Sequence, residues 1–149
     1  MKTLPAFVLG TLLLSTTATT FGFADNNAKS GAKAPAAATT SPQGFVTISV
    51  PEFEKLRADT NHIVLDVRTK GEFDKGHIPG AINIDVRAAD FEKQVAKLDK
   101  SKTYLVHCAV GGRSVTACNK LAPLKFEKLF NLKGGYGEWM FTSGKAPVQ

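Results

Sequence analysis

Ile63-Val64-Leu65-Asp66-Val67 is a β-branched run with no alternation of polar and apolar residues. A strand of this kind has no side to turn to water, so it calls for cover on both faces. The flanking sequence supplies the cover. Ser49-Val50-Pro51-Glu52 has capping-box spacing with proline in the first turn, and Phe53 and Leu56 face inward on the helix it opens. Thr69-Lys70-Gly71-Glu72 is a second capping box, opening a short helical turn through Phe73. Phe91, Val95 and Leu98 form an apolar stripe on a helix predicted from Asp85 to Lys97. Further strands are predicted over Phe45 to Ile48, Ala81 to Ile84, Thr103 to His107 and Lys128 to Leu132. Helices are predicted over Ser114 to Leu121 and Tyr136 to Phe141. This alternation predicts an α/β domain over residues 45–149, a small and mainly parallel five-stranded sheet with helices on both faces.

What precedes the domain reads differently. Lys2 gives a short positive start, Leu4 to Ser15 is almost wholly apolar, and Gly22-Phe23-Ala24 places small residues where a signal peptidase reads. The apolar run is shorter than the roughly 20 residues a membrane span needs. Residues 1–24 are therefore expected to be a cleaved signal peptide, with a periplasmic or secreted mature chain starting near Asp25 and not held at a membrane. Residues 25–44 have no large apolar side chain before Phe45 and are expected to be a flexible linker.

The formal net charge is +6, but the 19 basic residues are spread along the chain. That distribution argues against a nucleic-acid arm and favours small anions as encounter partners. Two cysteines cannot make a disulfide scaffold or a four-thiolate zinc site. Three histidines without ligand spacing predict no metal site, and no cofactor is expected.

Chemistry concentrates in Cys108-Ala109-Val110-Gly111-Gly112-Arg113-Ser114. A strand ends at Cys108, a loop turns, and a helix begins at or just after Ser114. In open α/β sheets, ligands bind at the carboxyl ends of strands beside helix N-termini. A thiol there meets unpaired N–H groups and a positive helix dipole, and Arg113 adds a full charge. Such settings move a cysteine from ~8.5 to about 3.5–7.5. Gly111 and Gly112 allow a tight bend that brings backbone donors close to the sulfur.

Residues 45–142 resemble a single-domain rhodanese, a thiosulfate sulfurtransferase, and with the export signal they are similar to the small periplasmic members. Three segments carry the likeness: Leu65 to Arg68 running through Glu72-Phe73 to Gly76-His77-Ile78-Pro79-Gly80-Ala81-Ile82-Asn83; the Cys108 to Ser114 loop; and Leu132-Lys133-Gly134-Gly135-Tyr136-Gly137-Glu138-Trp139. The resemblance implies that Cys108 is the catalytic nucleophile, taking sulfane sulfur from a small anionic donor such as thiosulfate. A persulfide on Cys108 then passes the sulfur to a thiophilic acceptor, cyanide, a thiol or a protein. Ala109, Val110, Gly111, Gly112 and Arg113 would cradle it, with Arg113 attracting anions. The alternatives are a carrier that hands its persulfide to a partner without turnover, and a redox module. The third is a Cys-based phosphatase or arsenate reductase. Those last enzymes carry one more loop residue, whereas Cys108 to Arg113 spans six.

Other polar residues read as structural. Asp66 and Arg68 are expected to form an ion pair at a strand end, His77 to sit in a turn fixed by Pro79, and Trp139 to pack in the core. His107 precedes the nucleophile and points to the opposite sheet face. Cys118, about a turn into the helix, is expected to be a core thiol rather than half of a disulfide.

Overall fold

The computed structural model describes residues 39–40 and 44–149. The expected signal peptide and most of the expected linker lie outside the described residues. One part of the linker does not behave as expected: β1 (Thr39–Thr40) is a two-residue strand paired antiparallel with β2 (Val46–Ile48).

Beyond that edge the sheet is parallel throughout. It contains β2, β3 (His62–Asp66), β4 (Ile82–Asn83), β5 (Thr103–His107) and β6 (Lys128–Leu132), in the spatial order β2-β6-β5-β3-β4. The connections are made by α1 (Val50–Arg57), α2 (Lys70–Asp74), α3 (Phe91–Val95), α4 (Gly112–Leu121) and α5 (Gly135–Thr142), which follows β6. The chain leaves β3 toward β4 on one side and leaves β5 toward β6 on the other. The carboxyl ends of β3 and β5 therefore flank a switch point, where an open α/β sheet leaves a crevice.

Two cores follow from the period of two along the strands. Leu65, Val67, Tyr104 and Val106 face Phe91, Val95, Ala117, Cys118 and Leu121 on one side of the sheet. Val64, Leu105 and Leu132 face Phe53, Ile78 and Trp139 on the other. Both capping boxes form. Glu72 Oε2 takes the Thr69 N–H at 3.1 Å, and the Glu72 N–H donates to the Thr69 hydroxyl at 3.3 Å. Glu52 takes the Ser49 N–H at 3.0 Å. The Trp139 indole N–H, buried as expected, donates to Glu54 at 2.7 Å, fastening α5 to α1.

Two helices depart from the sequence reading. The predicted helix from Asp85 to Lys97 shrinks to Phe91–Val95. Asp85 takes the Arg87 N–H on its own side chain at 2.9 Å, and the Val86 N–H donates to Val67 at 3.3 Å. These bonds hold the segment in a local turn and compete with the helical ladder. Conversely, α4 starts at Gly112, two residues ahead of Ser114, because Gly111 supplies a left-handed residue from which the first turn can begin.

The strand-end ion pair is present and fully buried. Arg68 Nη2 lies 2.6 Å from Asp66 Oδ2, its Nε donates to the same carboxylate at 2.9 and 3.0 Å, and Nη2 also donates to the Gly76 carbonyl at 2.9 Å. The guanidinium stacks over the Tyr136 ring at 4.1 Å. This pair ties the β3 end to the Gly76–Gly80 turn, where His77 Nδ1 meets the Phe73 carbonyl at 3.0 Å. Removing one partner of a buried pair leaves an uncompensated charge, at a cost of ~3–5 kcal/mol. Asp66→Asn should therefore lower the free energy of unfolding by that amount, seen as a lower urea midpoint with the m-value unchanged in far-ultraviolet circular dichroism.

Candidate active site

Cys108 follows β5 directly and turns its side chain into the α4 face of the sheet, 1% exposed. The chain then reverses its peptide orientation. The carbonyls of Cys108 and Ala109 point away from the sulfur and accept the Tyr136 and Gly137 N–H groups at 2.7 and 2.9 Å. These are among the donors that the first turn of α5 leaves without helical partners. The Val110 N–H, in the same peptide as the engaged Ala109 carbonyl, faces the thiol, and the next N–H, that of Gly111, donates to Cys108 Sγ at 3.1 Å.

Burial alone would push the Cys108 thiol up. It is outweighed by the Ser114 hydroxyl and the N–H groups of Ser114, Val110 and Gly111, which hold the thiol below its ordinary range. The Ser114 hydroxyl also lies 2.8 Å from the Gly111 carbonyl. Its one proton can serve either that carbonyl or the sulfur.

Two glycines permit this arrangement. Gly111 has φ +100°, closed to most side chains. At Gly135, φ +61°, an added Cβ would stand 2.5 Å from the Cys108 carbonyl oxygen. Gly112 needs no such freedom: it is helical, and nothing lies within 4 Å of where its Cβ would be. Of the expected cradle, Val110 and Gly111 act on the sulfur. Ala109 instead anchors the loop to α5, and Val110 places its side chain in water, 78% exposed.

Arg113 does something the sequence reading did not anticipate. Its two terminal nitrogens each donate to one oxygen of Glu72 at 2.7 Å, a bidentate pair bridging the starts of α2 and α4. Arg113 holds the Glu72 carboxyl far down, at about 2. The full positive charge expected at the loop is thus matched by a carboxylate. Sequence reasoning missed Glu72 as a site residue because its capping-box role already explained it. It missed Ser114 because it treated that residue as the helix start.

His107 and Cys118 take the buried places expected of them. His107 points to the other sheet face, near Phe53 and Tyr136, and its Nε2 lies 3.7 Å from Asp66 Oδ2. Burial presses its pKa down to about 4 despite the Asp66 carboxylate, so the ring is neutral at neutral pH. Cys118 is a free, fully buried thiol in the α4-side core, and burial pushes it up to about 12.

A parallel α/β sheet whose central strand delivers a cysteine into loop amides at a helix start defines a domain whose loop lowers the pKa of that cysteine. Residues 49–142 match the rhodanese-like domain family, and the chain belongs to that family. It is 38% identical over 101 residues to the Arabidopsis thaliana mitochondrial protein High Arsenic Content 1, a match spanning 59% of this chain and 60% of that protein. It is 37% identical over 86 residues to the putative sulfurtransferase YtwF of Bacillus subtilis, spanning 58% of this chain and 81% of the relative. Among solved structures, a rhodanese-related protein of Thermoplasma volcanium superposes with TM-score 0.60 at 28% identity, over 68% of this chain and 96% of that one. Proteins similar to this chain are named as sulfurtransferases and as a putative sulfur carrier.

Deleting one charge-assisted hydrogen bond of about 1.5 kcal/mol corresponds to roughly a tenfold change in thiolate population. Ser114→Ala in a Cys118→Ser background should therefore slow iodoacetamide alkylation of Cys108 about tenfold at neutral pH. The pH–rate profile should shift to higher pH, because the lost donor favoured the anion.

Proposed function

We propose that the domain is a sulfurtransferase that moves sulfane sulfur through a persulfide on Cys108. The observation that supports this best is the ring of N–H donors on Cys108, built by a loop of six residues from Cys108 to Arg113. In the first half-reaction the Cys108 thiolate attacks the outer sulfur of thiosulfate. The sulfur–sulfur bond of the donor breaks, sulfite leaves with the bonding pair, and a persulfide anion remains on the enzyme. In the second, cyanide or a thiolate attacks the outer sulfur, and Cys108 departs as the thiolate. Covalent catalysis divides one transfer into two displacements, and the amide ring stabilises the anion present at the end of each.

A second reading, delivery to a protein acceptor without turnover on free donors, is favoured by the relative named as a putative sulfur carrier. Intact mass after thiosulfate and then cyanide tests the shared chemistry: the protein should gain one sulfur and lose it. Steady-state thiocyanate production supports the enzyme, and its absence with intact loading supports the carrier.

Cys108→Ser should abolish sulfur loading, whereas Cys118→Ser should preserve most of it, both read by thiocyanate formation and intact mass. Inserting glycine after Gly111 should reduce transfer by ~10²–10³, the usual effect of misplacing one aimed donor. The wild type should show no aryl phosphatase activity above background. The reading includes export: N-terminal sequencing of secreted or periplasmic material should begin near Asp25, and an intact Met1 in the membrane pellet would overturn it.

A further inference from the structure

Arg113 is the only cationic residue of the Cys108–Ser114 loop, and it does not face the site as an unmatched charge. Both terminal nitrogens are spent on Glu72 at 2.7 Å, and the Asp85 carboxylate adds a second negative field at the same guanidinium. Glu72 is itself fixed. Its Oε2 accepts the Thr69 N–H at 3.1 Å and hydroxyl at 2.9 Å, so the cap of α2 holds the carboxylate where Arg113 arrives. With the thiolate formed, these four groups carry one positive charge against three negative ones. A dianion gains nothing from such a mouth.

We propose that Glu72 sets the sulfur-donor class of the Cys108 site. By holding Arg113 it withdraws the loop's cation, so the site loads from organic persulfides of at most one negative charge in preference to the thiosulfate dianion. The proposal rests on the sulfurtransferase reading. The chemistry balances: the Cys108 thiolate attacks the outer sulfur of R–S–SH, the sulfur–sulfur bond of the donor breaks, and R–S⁻ leaves with the bonding pair. The transferred sulfur keeps its proton, giving Cys108–S–SH, which can then ionise. No redox partner is needed, because one sulfur–sulfur bond replaces another. Glu72 touches no reacting atom; it is a positioning residue that acts through Arg113.

The test is the ratio of kcat/KM for Cys108 loading by thiosulfate to that by the hydropersulfide of mercaptoethanol, read by rapid-quench intact mass. A ratio cancels any change in thiolate population, which both donors share. Glu72→Gln keeps the cap, since glutamine serves at this position too, but frees the charge of Arg113. The ratio should rise roughly tenfold, chiefly through the thiosulfate KM, and this gain should fade with added salt. Arg113→Gln leaves Glu72 unmatched and should lower the ratio by a similar factor. The double variant should return it to the wild-type value.

If the variants slow both donors equally, the pair is only a brace, and the assignment of Glu72 fails while sulfur transfer stands. A wild type that loads faster from thiosulfate than from the hydropersulfide overturns the proposal outright. Loading from neither donor overturns it together with the sulfurtransferase reading. Thermal melting of each variant, with Gln at position 72 expected to keep the wild-type midpoint within a few degrees, separates charge effects from unfolding.

Discussion

The hydrogen bonds from Tyr136 and Gly137 to the carbonyls of Cys108 and Ala109 are the constraint on which the site depends. A peptide unit carries its donor and acceptor on opposite sides. Fixing the Ala109 carbonyl toward α5 therefore fixes the Val110 N–H, which shares its peptide unit, toward the sulfur, and Gly111 follows from there. The same bonds satisfy two donors at the α5 start, so the helix end and the anion pocket share one solution. Gly135 permits the approach, since any side chain there would collide with the carbonyls it must admit. The buried Asp66–Arg68 pair supports this from beneath, with Arg68 stacked on the Tyr136 ring whose backbone holds the loop. Loop, last helix and strand-end ion pair thus form one connected unit.

Much of this was legible in the residues. The strand Thr103–His107 and the strand Lys128–Leu132 appear where the apolar runs place them. Burial on both faces leaves such segments few alternatives. The thiol at the strand end and a tight glycine turn after it were readable from a short local pattern, although only Gly111 of the two glycines takes the left-handed conformation. The ion-pair role of Asp66 and Arg68 followed from their place at a strand end, and the turn of His107 to the opposite sheet face from strand alternation.

What escaped the sequence was set by partners distant along the chain or by local competition. The grip of Glu72 on Arg113 joins residues 41 positions apart. Nothing in either segment signals it, because each already had a sufficient local explanation. The shortening of the helix before Val95 came from the Asp85 side chain capturing the Arg87 N–H and from the Val86 N–H bonding to Val67, an outcome that an apolar stripe cannot foretell. The placement of Thr39–Thr40 on the sheet edge depends on an unpaired side of β2, which no propensity of the threonines encodes.

The burial of Cys118 has a consequence for time rather than for mechanism. It is the only other cysteine in the chain, it lies in the core, and it stays protonated up to about 12. A persulfide on Cys108 would find no internal thiolate to expel its outer sulfur as hydrogen sulfide and close a disulfide. Self-discharge would require the core to open first. The loaded domain would then be a store with a slow leak, its lifetime set by encounters with outside acceptors.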